Sequence, residues 1–106
     1  MSFCMVYVTT NSQEEAEKIA LRVIDENLAA CANVLGPMVS IFSWKGDLQR
    51  EEEVAMLLKT TESNVARLTK RITTLHSYDC PCVVAWPIQH GNGDFLEWLK
   101  TETGSQ

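Results

Sequence analysis

The sequence predicts an α+β fold, a ferredoxin-like β-α-β-β-α-β sandwich with a long central hairpin and an extra C-terminal helix. One observation is the order of strand-like and helix-like segments, which form two β-α-β units around one shared hairpin. Another is the hairpin itself, which extends from Asn33 to Thr60 around a turn at Lys45-Gly46-Asp47. The chain has 106 residues, enough for one hydrophobic core, so we interpret residues 1–106 as a single domain.

Composition and charge indicate a soluble globular protein. Hydrophobic residues make up 45% of the chain, yet no apolar run approaches the roughly 20 residues of a membrane span. The N-terminal residues lack the basic region of a signal peptide. The net charge of −5 predicts a surface that repels nucleic acid and attracts cations. We expect a cytoplasmic protein without nucleic-acid or membrane partners, whose four cysteines are free thiols.

The first strand and helix have clear local signals. Apolar residues on both faces of the segment from Cys4 to Thr10 predict a central strand that is covered on both sides. Ser12 is a predicted helix N-cap, with Glu15 completing a capping box. The helix should end near Asn27, which tolerates the left-handed C′ conformation. Its apolar stripe comprises Ala16, Ile19, Ala20, Val23 and Ile24.

The central hairpin is long for the size of the domain. The segment from Leu28 to Ala32 should enter its first arm, and Gly36-Pro37 should bend that arm because proline cannot donate to a ladder. Each arm is about 12 residues, or roughly 40 Å, whereas a domain of this length has a radius of gyration of about 13 Å. The hairpin should therefore extend beyond its own domain.

The second half of the chain repeats the β-α order. Thr61 is the predicted cap of a second helix, whose apolar stripe comprises Val65, Leu68, Ile72 and Leu75. A strand should follow from Cys82 to Ile88, and Asn92 or Asp94 should cap a short last helix. That helix holds Phe95, Leu96, Trp98 and Leu99, and the tail from Thr103 to Gln106 should be loose.

This arrangement predicts self-association. Both long helices should lie on one face of the sheet, which leaves the other face bare in a monomer. Phe42 and Trp44, near the tip of the hairpin, would also be left in water, and large aromatics at such positions often anchor interfaces. We therefore predict that Phe42 and Trp44 lie in an interface with other copies of the chain.

Several short segments recur together in a known family. They are Leu28-Ala29-Ala30-Cys31-Ala32-Asn33, Trp44-Lys45-Gly46, Glu52-Glu53-Val54, Leu57-Leu58-Lys59-Thr60, His76-Ser77-Tyr78, and Pro87-Ile88 with Gly91, Asp94, Phe95, Leu96, Trp98 and Leu99. In order and spacing they resemble the CutA divalent-cation tolerance family. The resemblance implies a cytoplasmic homotrimer linked to copper and other divalent metals. It also implies likeness to PII-type signalling trimers, which bind small ligands in clefts between subunits.

Two groups of candidate site residues follow from the resemblance. A run of acidic residues such as Glu51-Glu52-Glu53 usually forms a solvated face. The alternative comes from the resemblance: shared polar residues of the family cluster at subunit boundaries, which implies an inter-subunit cleft lined by Glu53, Lys59, Tyr78 and Trp98. In copper-binding members the ligands resemble one cysteine on the first strand and two adjacent histidines that end the second helix. Only His76 matches, with Val8 and Leu75 at the other two positions. Ser77 and Cys82 stand where members often have proline and glutamate.

The residues themselves suggest another metal site. His76, Cys80 and Cys82 lie within seven residues, and imidazole and thiolate are good ligands for copper(I) or zinc. Equally, His76 can be a helix-end residue and Cys82 a small buried apolar one. No cofactor is obligatory on this interpretation, and copper or another divalent cation is the candidate ligand.

Three functions remain open from the sequence. The first is a homotrimeric binding or signalling protein that acts in metal tolerance without catalysis. The second is an enzyme that uses the inter-subunit cleft, with Lys59, Glu53, Tyr78 or His76 as acid–base groups. The third is a structural trimer that scaffolds a partner. Motifs for phosphate loops, dinucleotides or zinc proteases are absent from the sequence, so we expect no enzymatic activity.

Overall fold

The computed structural model describes residues 1–104. The strands are β1 (Phe3–Thr10), β2 (Cys31–Trp44), β3 (Asp47–Thr61) and β4 (Val83–Ile88), and the helices are α1 (Gln13–Asp25), α2 (Val65–Leu75) and α3 (Gly93–Glu102). The strands form one antiparallel sheet in the order β2-β3-β1-β4. The predicted α+β order of elements is confirmed, including the extra C-terminal helix. No helix within residues 1–104 is long and apolar enough to cross a membrane.

Local capping signals position α1 as the sequence predicts. The Ser12 hydroxyl accepts a hydrogen bond from the Glu15 amide at 3.1 Å. Asn27 has a φ of +63°, the left-handed conformation expected just after the helix. In a regular capping box the Glu15 carboxylate would accept a hydrogen bond from the amide of the N-cap residue, Ser12. Here it accepts from the amide of the preceding residue, Asn11, at 3.0 Å. Glu15 is thereby tied to the end of β1.

The core lies between the sheet and the two long helices. On β1, the side chains of Val6 and Val8 are completely buried, and they pack with α1 and α2 residues such as Ile19 and Leu68. The opposite face of the sheet carries Met5, Tyr7, Leu57, Val84 and Trp86, which remain half-buried or exposed. We call this the open face. The prediction that β1 is covered on both sides is wrong for a single protomer, because both long helices pack on one side.

The hairpin of β2 and β3 extends beyond the rest of the sheet, as predicted. The last residue pair before the turn is Trp44 with Asp47. The turn itself consists of Lys45 and Gly46, which have φ values of +51° and +87°. The last pair that β3 makes with β1 is Val54 with Thr10. The part beyond this pair, residues 38–53, is called the overhang. Seven residues of β3 lie in it, about 24 Å of strand, in a molecule of 45 × 25 × 22 Å.

The bend predicted at Gly36-Pro37 is a β-bulge within a continuous strand. The register shifts between Val34 and Gly36, and Gly36 has a φ of +92°. Leu35 is the extra residue of the bulge. On both sides of the bulge, residues of β2 and β3 that lie opposite each other have their side chains on the same face of the sheet. β2 is an outer strand, which tolerates Pro37 because one side of the strand is unpaired.

Several predicted boundaries are corrected. Thr61 ends β3 and does not cap α2, because a short 3-10 turn (Glu62–Asn64) intervenes before Val65. β2 begins at Cys31, and β4 begins at Val83.

The C-terminal tail is also corrected in part. Thr103 is buried rather than loose, since its hydroxyl bonds to the last carbonyls of α3. Gly104 follows with a φ of +68°, which closes the helix. Ser105 and Gln106 lie outside the described residues.

Candidate functional site

His76 fixes the start of the loop between α2 and β4, residues 76–82, which is called the loop below. Its side chain is fully buried, and its Nε2 lies 2.8 Å from the Thr9 carbonyl oxygen. Its Nδ1 accepts a hydrogen bond from the Tyr78 amide at 3.1 Å. An acceptor at Nδ1 requires the proton on Nε2, which then donates to Thr9. Both ring nitrogens of His76 are therefore used to hold the loop against the end of β1.

Glu15 holds the same loop from the helix side. Its carboxylate accepts hydrogen bonds from the amides of Asn11 at 3.0 Å and Ser77 at 2.9 Å. Its Oε2 also lies 3.9 Å from His76 Nδ1. Burial alone would raise the pKa of Glu15, but the hydrogen bonds from Asn11 and Ser77 outweigh it, so that pKa is lowered. Glu15 therefore clamps the loop as a carboxylate.

Tyr78 connects this loop to the hairpin. Its hydroxyl donates to Glu53 Oε2 at 2.8 Å, and its ring lies 4.7 Å from that of His76. Glu53 lies opposite Met38 in the hairpin, on the open face of the sheet, yet it is only 7% exposed. Burial raises the pKa of Tyr78 strongly, and the charge of Glu53 adds to the effect. Tyr78 is therefore a proton donor that stays neutral at physiological pH.

A cavity of about 580 Å³ lies between the overhang and the loop. Phe42 and Trp44 line one end of it, while Glu51, Tyr78 and Asp79 are among its other lining residues. We call this cavity the overhang groove. The sequence predicted that Trp44, near the tip of the hairpin, would be left in water by its own domain. In the structure Trp44 and the loop of the same chain share a cavity, and Trp44 is 45% exposed.

A second polar group lies at the other end of the open face. Lys59 Nζ donates to Asn33 Oδ1 at 2.6 Å and lies 6.0 Å from the centre of the Phe95 ring. The Phe95 ring is in turn 5.5 Å from that of Trp98. Lys59 and Glu53 are six residues apart on β3, so they share a face but stand about 20 Å apart.

The four predicted cleft residues thus form two separate groups within one protomer. Glu53 lies with Tyr78, and Lys59 lies with the α3 aromatics that include Trp98. Their meeting across a subunit boundary stays a prediction.

Sequence reasoning did not anticipate that Glu15 clamps the loop. The signal at Glu15 was a capping motif, which predicts a local partner and carries no information about the amide of Ser77.

The predicted metal ligands are not assembled into a metal site. Cys80 is exposed and Cys82 is half-buried, with the pKa of the Cys82 thiol raised by burial and by the nearby Glu53 charge. The ring nitrogens of His76 already have backbone partners. Across residues 1–104, no three His, Cys, Asp or Glu side chains are arranged to hold a metal ion. Metal binding through His76, Cys80 and Cys82 stays a prediction that requires the loop to rearrange.

Comparison with known proteins places this geometry in one family. The profile of the family described as "CutA1 divalent ion tolerance protein" matches residues 4–102. The chain is 39% identical to "Divalent-cation tolerance protein CutA" of Thermus thermophilus, over 94% of this chain and 97% of that protein. It is 38% identical to "Protein CutA, chloroplastic" of Arabidopsis thaliana, over 93% of this chain but only 54% of that relative.

Solved structures agree with the sequence comparison. A structure described as the periplasmic divalent cation tolerance protein CutA from Archaeoglobus fulgidus superposes with a TM-score of 0.92 and 38% identity, over 95% of this chain and 98% of that one. The names of these two relatives refer to different compartments, the chloroplast and the periplasm. The family match covers all the strands and helices described above except the first residue of β1, and the relatives exceed 30% identity over nearly the whole chain. The chain therefore belongs to the CutA1 divalent ion tolerance family.

Proposed function

We propose that the chain is a cytoplasmic homotrimer that acts in tolerance to copper and other divalent metals, by binding a metal or small ligand in clefts between protomers, as PII-type trimers do. The proposal assigns it no catalytic reaction. The overhang is the main observation in support of this proposal, because its exposed apolar side chains need to be covered by a second chain.

The overhang exposes large apolar side chains on both of its faces. On the face toward the helices, Ile41 is 68% exposed and Leu48 is 80% exposed. On the other face, Phe42 and Trp44 are 40% and 45% exposed. A two-stranded ribbon with apolar side chains on both faces is not stable in water without cover. Burial by neighbouring protomers supplies that cover.

The charges on the open face support a cleft between protomers. The Glu53 group lies near the middle of β3, and the Lys59 group lies near the C-terminal end of that strand. Around a three-fold axis each interface is heterologous, so the surface of one protomer meets a different surface of the next. We expect the Lys59 group of one protomer to face the Glu53 group of its neighbour, which would assemble Glu53, Lys59, Tyr78 and Trp98 into one cleft.

Divalent metals would interact with such a trimer in one of two ways. Three chains carry a net charge of 3 × (−5) = −15, which attracts cations loosely and in a salt-sensitive manner. A specific site through His76 with Cys80 or Cys82 would persist at high salt. A titration with copper(I) and zinc, under reducing conditions and at high salt, separates the two.

Two matched variants make the titration decisive. His76→Ala removes the buried imidazole, and His90→Ala removes an exposed one. If only His76→Ala lowers binding while its circular dichroism stays that of the wild type, the metal site includes His76. If both variants bind as the wild type does, metal tolerance rests on another site or on an indirect effect.

Two other functions have less support. An enzyme that used Tyr78 as an acid or base would have to work against its raised pKa, since a good catalytic group titrates near the working pH. A scaffold would need no ligand at all. A thermal-shift screen of metals and small metabolites distinguishes the scaffold, because a true ligand raises the midpoint progressively with its concentration.

A further inference from the structure

We infer that the Glu53 carboxylate pairs with the Lys59 ammonium of a second copy of this chain, so that each boundary between protomers contains one ion pair, held also by Tyr78 and Asn33. This inference rests on the proposed function, because it needs a neighbouring protomer whose Lys59 group faces Glu53. It deepens that function by naming the partner of the Glu53 group: a lysine of the neighbour, and not a free cation, balances the charge at this point of the cleft.

The Glu53 carboxylate is buried without a cation from its own protomer. Glu53 is 7% exposed, and the Tyr78 hydroxyl donates to its Oε2 at 2.8 Å. Within residues 1–104 the carboxylates that lie within 4 Å of a basic group are those of Glu26 and Glu15. A carboxylate has about four lone-pair sites, and a charge removed from water is costly unless it is paired. Glu53 therefore needs a cation from outside its own protomer.

The placement of the basic residues leaves few candidates for that cation. Of the nine Lys and Arg residues, five lie on α1 and α2, on the other side of the sheet from Glu53. Arg50 lies on the helix side of the overhang, and Lys45 lies in the hairpin turn. Within residues 1–104, Lys59 is the one basic residue that a strand places on the open face, and Lys100 on α3 is the remaining alternative.

Lys59 has the free donors that such a pair requires. Its Nζ donates to Asn33 Oδ1 at 2.6 Å, which uses one of the three N–H groups of an ammonium. The side chain is half-buried, with its Nζ 6.0 Å from the centre of the Phe95 ring, so a carboxylate at the same place would be partly shielded from water. Six residues of β3, about 20 Å, separate Lys59 from Glu53 of the same protomer. The pair can therefore form only between protomers.

A three-fold ring lets every chain use both groups. Because its interfaces are heterologous, each protomer presents Glu53 to one neighbour and Lys59 to the other. Complementary charges across an interface fix its register and disfavour wrong pairings, whereas apolar contacts are non-directional. The ion pair should therefore determine which surfaces of two protomers meet, while the overhang supplies most of the apolar area.

Exchange of the two charges tests the pair. Glu53→Lys alone places two ammonium groups at each boundary, Lys59→Glu alone places two carboxylates there, and the double variant restores one of each. The other two partners tolerate the exchange, because the Tyr78 hydroxyl can also accept and the Asn33 amide can also donate. The readout is sedimentation velocity over a dilution series, with circular dichroism to report the fold.

The expected result is loss of assembly in the single variants and recovery in the double variant. Each single variant should dissociate at a protomer concentration at least about thirtyfold above that of the wild type, as for a charge left unpaired in an interface. The double variant should recover most of that loss. Losses that simply add in the double variant would overturn the inference, and so would rescue of Glu53→Lys by Lys100→Glu in place of Lys59→Glu.

Conservative variants keep the test decisive if an exchanged charge prevents folding. Lys59→Arg keeps the positive charge and should assemble nearly as the wild type does, whereas Lys59→Met keeps the length without the charge and should dissociate more readily. Equal assembly of these two variants would refute the ion pair. Glu17→Lys makes the same charge change as Glu53→Lys on the exposed surface of α1, and it should leave the assembly unchanged.

The same samples show which proposal fails. A trimeric wild type whose assembly does not respond to the charge at position 59 refutes the inference and leaves the proposed function intact. A folded wild-type monomer refutes the proposed function, and with it the inter-subunit pair.

Discussion

Tyr78→Phe tests the hydrogen bond that joins the loop to the hairpin. The substitution removes one hydroxyl and keeps the ring, whose centre lies 4.7 Å from that of His76. It leaves the Glu53 carboxylate, 7% exposed, without the donor that now lies 2.8 Å away. A hydrogen bond to a charged group contributes about 1.5–3 kcal/mol. Tyr78 is half-buried, so we expect a loss near the lower end, about 2 kcal/mol in the free energy of unfolding.

Tyr7→Phe is the matched control. The Tyr7 hydroxyl donates to Met38 Sδ at 3.7 Å, and a thioether sulfur is a weak acceptor. That variant should lose less than about 0.5 kcal/mol. Urea unfolding at neutral pH and at one fixed protomer concentration measures both variants, because oligomer stability depends on concentration. Equal losses in the two variants would refute the assignment of Tyr78 as the partner of a buried carboxylate.

An alkaline titration gives a second readout of the same bond. The pKa of Tyr78 in the folded protein is raised above the unfolded value of about 10. The native state then holds a proton that the unfolded state releases, so the contribution is complete below about pH 10 and is lost as pH rises beyond it. The stability difference between wild type and Tyr78→Phe should narrow above about pH 10. A constant difference through that range would contradict the assignment.

Three further predictions concern other parts of the molecule. Despite partial burial, the backbone amides that bond to Glu15 lower its pKa in the folded state. Glu15 therefore contributes to the free energy of unfolding above about pH 4.3, and this contribution is lost on acidification. In urea unfolding, Glu15→Gln should destabilise the protein most at neutral pH and least near pH 3. Gly46→Ala forces alanine into a φ of +87° and should cost about 1–2 kcal/mol by the same assay, whereas Gly93→Ala, at an ordinary φ with no atom near the new Cβ, should be neutral or stabilising. Trp44→Ala should weaken the trimer more than Trp86→Ala in sedimentation equilibrium, and an equal or smaller effect at Trp44 would mean that the hairpin tip is not an interface anchor.

Local signals were sufficient for much of the fold. The Ser12 cap, the left-handed Asn27 and the turn at Lys45-Gly46 each depend on residues close in sequence, and each is confirmed. The hairpin overhang followed from arm length alone. Thr61 was misassigned because a threonine before an apolar stripe suits a helix cap and a strand end equally well.

Contacts between distant segments could not be predicted in the same way. Tyr78 and Glu53 are 25 positions apart, and Ser77 and Glu15 are 62 apart, so no local pattern pairs them. The alternation in β1 shows which residues share a face, but an apolar face has the same pattern whether a helix of the same chain or another chain covers it. For that reason the groove and the role of Glu15 became visible only with the structure.

Sedimentation velocity of the wild-type protein tests the central proposal most directly. The proposal predicts one species of three times 11.9 kDa, about 36 kDa, at micromolar protomer concentration, without a stable folded monomer. Dilution should lead from trimer to unfolded chain, since the overhang needs its neighbours. A folded species of 11.9 kDa at micromolar concentration, with the hairpin intact, would contradict both the trimer and the inter-subunit cleft.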